Sequence, residues 1–513
     1  MSRTQNAMKN IFFAMLSKMI TLFLNFFSRT FFIYYLGNTY LGINGLFSEI
    51  LTLLSFTELG FGTALNFSLY KPVADEEWGK TQRLLKFYKN VYRIIALIIS
   101  VLGVSLVPFL QYLVKGVDGV GIAELRIYYI FFLLNTVVGY FVSYKYSLVN
   151  AQQKNYITTN YEFVSNTIIV LAQIITIVAT RNYLYYLAIH TILLIISRMV
   201  LSIYLNKKFP VLKLKKVEPL SKEERKPIYL EVKGLILHQF ASVAIHQTDN
   251  IIISSLTKAG VKAVGYISNY NMLINAVTGM VVLIFNNIVS GFGNLIATSG
   301  KKNFQRVFKE LNFINFWIYG FCAIAFYILI PPFIQLWIGE QYLIDDVSFF
   351  LIVLNCYLMG QSIIYNNARN AYGNFNSDKW ISFVQALINL VISVIGAKFL
   401  GLVGVYVGTI LSRVWFVLMR PCKTYEMMFG VPVTEYYKQF FKYISSVLAI
   451  GVITTILVKN IVQQVTLYTF ILIMGIVVIV PNLCFGILYC KTEEYGDVKE
   501  RVKRILKREK NND

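Results

Sequence analysis

Residues 94–114, IIALIISVLGVSLVPFLQYLV, run without a single charged side chain. At 1.5 Å per residue, a helix of roughly 20 residues crosses the ~30 Å hydrocarbon core of a bilayer. Inside lipid the backbone must satisfy its own hydrogen bonds, which leaves helices or closed barrels as the spanning structures. Apolar runs of this length recur from end to end, and the chain is 56% hydrophobic and only 14% charged. A soluble chain carries nearer a quarter charged residues. The sequence therefore describes an all-α polytopic membrane protein. Spans are expected near 11–36, 41–66, 91–114, 127–149, 163–180, 183–205, 235–256, 264–293, 313–336, 347–368, 380–397, 401–420, 442–458 and 465–489, fourteen in all.

The first apolar run is too long for the core of a cleavable signal and no small-residue cleavage site follows it. Cys322, Cys356, Cys422, Cys484 and Cys490 lie in or beside spans, with no CxxC and no outer-face pair, so packing roles are expected. The net charge of +22 is distributed as topology and not as a nucleic-acid footprint. With the N-terminus cytoplasmic, only Lys115, Arg126, Arg181, Lys258, Lys262, Lys398 and Lys459 of the 48 Lys and Arg fall on the outer side. This is the positive-inside asymmetry, and it places both termini in the cytoplasm. The basic end, KERVKRILKREK, is expected as an amphipathic segment at an anionic membrane surface.

The longest polar interruption, Asn206 to Gly234, carries nine Lys/Arg and a capping-box pattern from Ser221 to Glu224. It separates an N-terminal six-helix bundle (1–205) from a C-terminal one (235–425), with two additional helices in 426–490 and a basic cytoplasmic tail in 491–513. The halves match at offsets of 215 to 223 residues. At 223, Gly42, Gln82, Arg83 and Lys86 fall on Gly265, Gln305, Arg306 and Lys309; at 220, Asn135 and Asn150 fall on Asn355 and Asn370. An even number of helices per half makes the bundles parallel, related by a pseudo-two-fold along the membrane normal. Transporters built this way bind between the halves and rock about that site.

Polar stripes mark where chemistry is expected. On the first helix Lys18, Thr21, Asn25 and Arg29 are spaced by 3, 4 and 4 and share one face. The seventh carries His238, Ser242, His246 and Asp249, and the offset of 220 lays Asp249 on Arg29. Glu49 and Glu58 lie on the second helix. An intramembrane ionisable group is a functional candidate by default, because it costs about 2.5–3.5 kcal/mol at a helix centre. Lys18, Asn25 and Arg29 are thus expected to bind substrate, and Glu58, Asp249 and His246 to gate or couple. Arg198 and Arg413, nearer the inner surface, are expected to snorkel or hold the bundle together.

Several chemistries are excluded. ADEEWGKT, Ala74 to Thr81, fits a loosened P-loop, but Asp75, Glu76 and Glu77 would repel phosphate and no strand precedes it. The sequence has no metal motif and no catalytic set, so neither an enzyme nor a cofactor is expected; coupling to H+, Na+ or the membrane potential stays open.

The segment FFSRTFFIYYLGNTYLGINGLFSEILTLLSFTELGFGTALNFSLYKPVAD resembles the start of Wzx-type oligosaccharide repeat-unit flippases of the polysaccharide transporter family. Its carriers are the helix-one arginine, the YLG turn and the ELGFG segment, and the resemblance extends over about residues 8–425. It is similar to the wider superfamily of multidrug and toxic compound exporters and lipid II flippases, built from paired six-helix bundles. The resemblance implies a bacterial cytoplasmic-membrane flippase for undecaprenyl-pyrophosphate-linked oligosaccharide, supplying capsule or exopolysaccharide synthesis alongside glycosyltransferases and a polymerase. A lipid II flippase is the alternative, and a multidrug exporter a weaker one, since a cationic cargo conflicts with Lys18 and Arg29.

Overall fold

The computed structural model describes residues 3–58, 61–117, 119–214, 217–230, 232, 245, 247–286, 292–293, 295–296, 300–372 and 379–510; the side chains of 3–18, 56–57, 63, 379, 502 and 504–510 are not described. Before the linker come α1 (Arg3–Leu36), α2 (Asn38–Leu54), α3 (Phe61–Ala74), α4 (Trp78–Leu106), α5 (Leu110–Leu113), α6 (Ile122–Ala151), α7 (Tyr156–Thr180) and α8 (Tyr183–Lys208). After it come α9 (Asp249–Leu256), α10 (Gly260–Asn286), α11 (Gly300–Trp337), α12 (Asp346–Tyr372), α13 (Lys379–Leu400), α14 (Leu402–Phe429), α15 (Thr434–Ile461), α16 (Leu467–Tyr489) and α17 (Glu493–Lys510). No strand occurs among the described residues.

Twelve described helices are long and apolar enough to cross a membrane, and the chain is a multi-pass membrane protein. The two further spans expected from sequence have other fates. The run at 41–66 is broken, because α2 stops at Leu54 and a 3-10 turn, Ser55–Glu58, precedes α3. The run at 235–256 lies mostly outside the described residues, with α9 at its end. Other helices extend past their apolar runs where packing continues. Phe304 and Phe308, four apart at the start of α11, pack on the Phe429 ring at 4.9 and 4.8 Å, so the helix persists through a polar sequence.

The contacts divide the chain into Met1–Ser268 and Asn269–Asp513. The cut falls inside α10, beyond the linker, because α9 packs on α2 and α5. The Asn38 side chain donates to the Lys262 carbonyl at 2.8 Å and ties α2 to the start of α10. In the second unit α13 and α14 cross at their glycines: a Cβ on Gly396 would lie 2.4 Å from the Gly404 carbonyl oxygen. The last two membrane helices pack on α11, where Phe316 stacks on Tyr443 with centroids 3.9 Å apart.

The repeated Gln-Arg-x-x-Lys residues make corresponding contacts within each unit. Gln82 donates to the Val211 and Lys213 carbonyls, Arg83 to Glu224 at 3.0 Å, and Lys86 to the Val217 carbonyl, so α4 grips the chain that leaves α8. Gln305 donates to Glu435 at 3.0 Å, Lys309 pairs with Glu435 at 3.1 Å, and Arg306 takes Asp497 with two nitrogens, so α11 grips the chain beyond α14.

The expected capping box is formed. Ser221 N donates to Glu224 Oε2 at 2.9 Å and Glu224 N donates to Ser221 Oγ at 3.2 Å. The Ser221 amide, and after it Arg83, holds the Glu224 carboxyl below its ordinary value. A lowered carboxylate contributes fully above the ordinary range and loses that contribution as pH falls through the folded value. Glu224→Gln is expected to raise tryptic cleavage within 213–226 a few-fold at neutral pH, since an exposed pair is worth about 1 kcal/mol or less. The unsubstituted chain should lose the same protection only in acid. An unchanged cleavage rate in the variant would show that the clasp does not hold the linker.

A polar cavity bordered by Arg29

Within the first unit α2 carries Asn44, Ser48 and Thr52 at spacings of 4 and 4, and Ser55, which caps the helix three residues on, extends this polar face of an otherwise apolar helix. The hydroxyls of Ser48, Thr52 and Ser55 donate to the carbonyls four residues back, which satisfies their protons and leaves their oxygens as acceptors. This face lines a cavity of about 550 Å³, together with Glu58, with Asn135, Thr136 and Tyr140 of α6, with Gln173 of α7, and with Tyr186 and His190 of α8.

The wall is cross-linked by its own polar groups. The Asn135 amide nitrogen lies 3.1 Å from His190 Nδ1. Tyr140 lies beside Glu58 and Ser55, and Tyr186 beside Gln173, all on the cavity wall. Such a cavity offers many donors and acceptors, one carboxylate and one imidazole. It suits a neutral, hydroxyl-rich ligand, because amide and hydroxyl groups match sugar hydroxyls in both senses.

Arg29 stands at the border of this cavity. It is half-buried on α1, its Nη1 donates to Ser268 Oγ of α10 at 2.7 Å, and its charge acts on Tyr186, a cavity residue. Asn25, one turn away on α1, is exposed. Lys18 lies in α1 among the residues whose side chains are not described, and His246 lies outside the described residues, as do His238 and Ser242.

Asp249 opens α9 next to Asn250, whose amide donates to Glu49 Oε1 at 2.5 Å, and the Asp249 charge acts on Glu49. The structure thus brings Glu58 to the cavity, Arg29 to its border, and Asp249 to Glu49. Among the described residues it draws no ion pair between Arg29 and Asp249, which the repeat register lays on one another.

Residues 7–289 match the family of polysaccharide biosynthesis proteins. The chain belongs to that family. Among solved structures, the lipid II flippase MurJ in its inward closed conformation is similar over 93% of this chain and 99% of its own, at 14% identity and a TM-score of 0.67. An inward-facing multidrug resistance MATE family transporter of the MOP superfamily is similar over 77% of this chain and 93% of its own, at 13% identity and a TM-score of 0.61. The Vibrio cholerae MATE transporter VcmN is similar over 79% and 92%, at 14% identity and a TM-score of 0.55. At these identities the likeness establishes the fold, which is that of flippases and exporters. No curated sequence matches.

The cations expected to hold the bundle of this polysaccharide-family protein do so. Arg198 pairs with Glu162 at 3.1 Å and donates to the Tyr146 hydroxyl, joining α8 to α7 and α6. Arg413 Nε donates to Asn355 at 3.2 Å. His190, Tyr186, Gln173 and Tyr140 are cavity residues that the sequence did not single out. The polar spacing on α2 was the available signal, since it follows the same rule as the stripe on the first helix.

Proposed function

We propose that the protein flips undecaprenyl-pyrophosphate-linked oligosaccharide repeat units from the inner to the outer leaflet of a bacterial cytoplasmic membrane by alternating access, for capsule, exopolysaccharide or similar surface polysaccharide. The observation that carries this is a guanidinium at the border of a cavity lined mainly by amides and hydroxyls. A pyrophosphate cannot cross hydrocarbon bare, and arginine grips phosphate oxygens bidentately. The asparagines, tyrosines and hydroxyls of the wall match a sugar. Family membership supports the pathway.

In this reading Lys18, Asn25 and Arg29 contact the cargo, and Glu58, Asp249 and His246 gate the cycle or couple it to H+ or Na+. An inside-negative potential assists outward movement of an anion by about 2.3 kcal/mol per charge per 100 mV. The chain has no catalytic role and works with membrane lipids, glycosyltransferases and a polymerase. Lipid II is the second reading, favoured by the near-complete overlap with MurJ in fold. Expression in a strain lacking its own repeat-unit flippase is expected to restore surface polysaccharide. Rescue only of a strain depleted of its lipid II flippase would favour the second reading.

The loop charges orient the chain with both termini inside. A single cysteine at Glu218 is expected to be shielded from an impermeant thiol reagent in intact cells, while cysteines at Lys115 and Asp345 react. Labelling at 218 from outside would reverse the topology.

A further inference from the structure

A second group of cations lies apart from Arg29. Lys89 and Arg93 are four residues apart on α4, continuing the face that begins with Gln82 and Lys86. Lys145 is on α6, which packs along α4. Arg93 acts electrostatically on Lys89, and Lys89 on Lys145, so the three charges form one cluster. Arg93 also acts on Tyr144, whose ring centroid is 5.8 Å from Lys145 Nζ.

Lys145 is only 3% exposed. Its nitrogen donates to the Ser202 carbonyl at 3.1 Å, Ser202 Oγ at 2.6 Å and Asn206 Oδ1 at 2.9 Å, so all three protons are used and none by a carboxylate. Among the described residues no carboxylate lies within 4 Å of Lys89, Arg93 or Lys145. A buried charge is ordinarily paired. Here three cations converge, and among the described residues no carboxylate pairs with them.

Helix packing does not demand these charges. The repeat register lays Lys89 and Arg93 on Asn312 and Phe316, and Lys145 on Tyr365, so the corresponding positions of the second half are neutral. The position of the cluster indicates a use. Tyr92, adjacent to Arg93, stacks on Tyr140 at 6.3 Å, and Tyr140 is a cavity residue. Tyr144 lies one turn, about 6 Å, further along α6. The apolar run of α4 begins at Ile94, so the cluster stands where hydrocarbon gives way to lipid headgroups.

We propose that Lys89, Arg93 and Lys145 form a docking site for the phosphate groups of an anionic lipid at the mouth of the polar cavity. Lys89 and Arg93 supply direct contacts, and Lys145 is a fixed charge behind them. The proposal rests on the flippase reading and deepens it: the pyrophosphate of the cargo is held here before it reaches Arg29. Bulk phosphatidylglycerol offers the same phosphate chemistry, and the test separates the two sources.

The full chain in phosphatidylcholine nanodiscs is titrated with farnesyl pyrophosphate, a short isoprenyl pyrophosphate. The double variant Lys89→Gln with Arg93→Gln is expected to weaken binding about ten-fold or more, as loss of two charge-assisted contacts implies. Both side chains lie at the protein surface or only half-buried, so the variant is expected to fold, and thermal unfolding in the same nanodiscs checks it. Lys398→Gln, which removes an exposed cation outside both sites, should leave binding within about two-fold. Undiminished binding by the folded double variant overturns the proposal. So does displacement of the probe by phosphatidylglycerol at equal concentration, which would make the cluster a bulk-lipid anchor. If binding depends on Lys89 and Arg93 in a chain that restores no polysaccharide, the docking site stands and the repeat-unit cargo falls.

Discussion

Arg29→Ala is expected to leave a folded protein in the membrane and to reduce transport about 10- to 100-fold, because charge-assisted hydrogen bonds are worth about 1.5–3 kcal/mol each. Arg29 Nη1 donates to Ser268 Oγ at 2.7 Å, which orients the guanidinium at the border of the cavity. Arg29→Lys should retain part of the activity, since charge survives and the bidentate fork does not. Ser268→Ala separates ligand from anchor: it leaves the guanidinium in place but frees its orientation, and a milder loss than Arg29→Ala is expected. Surface polysaccharide, normalised to membrane-inserted protein, reads all three. Full activity of Arg29→Ala would remove the residue from the mechanism.

The membrane helices were legible because hydrocarbon imposes its own length on apolar runs, and the run at 94–114 can do little else. Arg29 was legible for the complementary reason, since a charge in such a run stands out. The cavity was not, although Asn44, Ser48, Thr52 and Ser55 follow a helical spacing. Hydroxyls in a membrane helix satisfy themselves on the preceding turn, so their presence alone says little about a ligand. His190 and Gln173 were missed because facing Asn135 and Tyr186 depends on how α6, α7 and α8 are rotated about their axes. No periodicity within one helix fixes that rotation. The contact of Arg29 with Ser268, 239 residues away, was hidden for the same reason. The break at Ser55–Glu58 went unread because SFTE interrupts an apolar run only briefly, yet it is what turns Glu58 toward Tyr140.

Gly42→Ala is the second large effect expected, and it follows from the register that laid Gly42 on Gly265. The two glycines face one another where α2 crosses α10: a Cβ on Gly42 would lie 2.0 Å from the Val261 carbonyl oxygen and 3.2 Å from Gly265 N, and one on Gly265 would lie 2.4 Å from the Asn38 carbonyl oxygen. The obstacles are backbone atoms, so no side-chain rotation relieves the clash, and the helices must separate. Overpacking of this kind costs about 1–3 kcal/mol. Separation also stretches the Asn38 to Lys262 bond that pins the crossing. Gly121, where an added Cβ meets nothing within 4 Å and the φ of −69° suits any residue, is the control. Gly42→Ala should lower thermal stability and raise thiol labelling of a cysteine at Asn44, while Gly121→Ala changes neither. If α2 and α10 part during the transport cycle, the alanine favours the parted state, and 1.4 kcal/mol of strain shifts that equilibrium about tenfold. Transport should then fall even in the fraction of Gly42→Ala protein that remains folded, because the cycle no longer returns to the pinned state. Equal stability and equal labelling in the two variants would show that this crossing is neither tight nor part of the cycle.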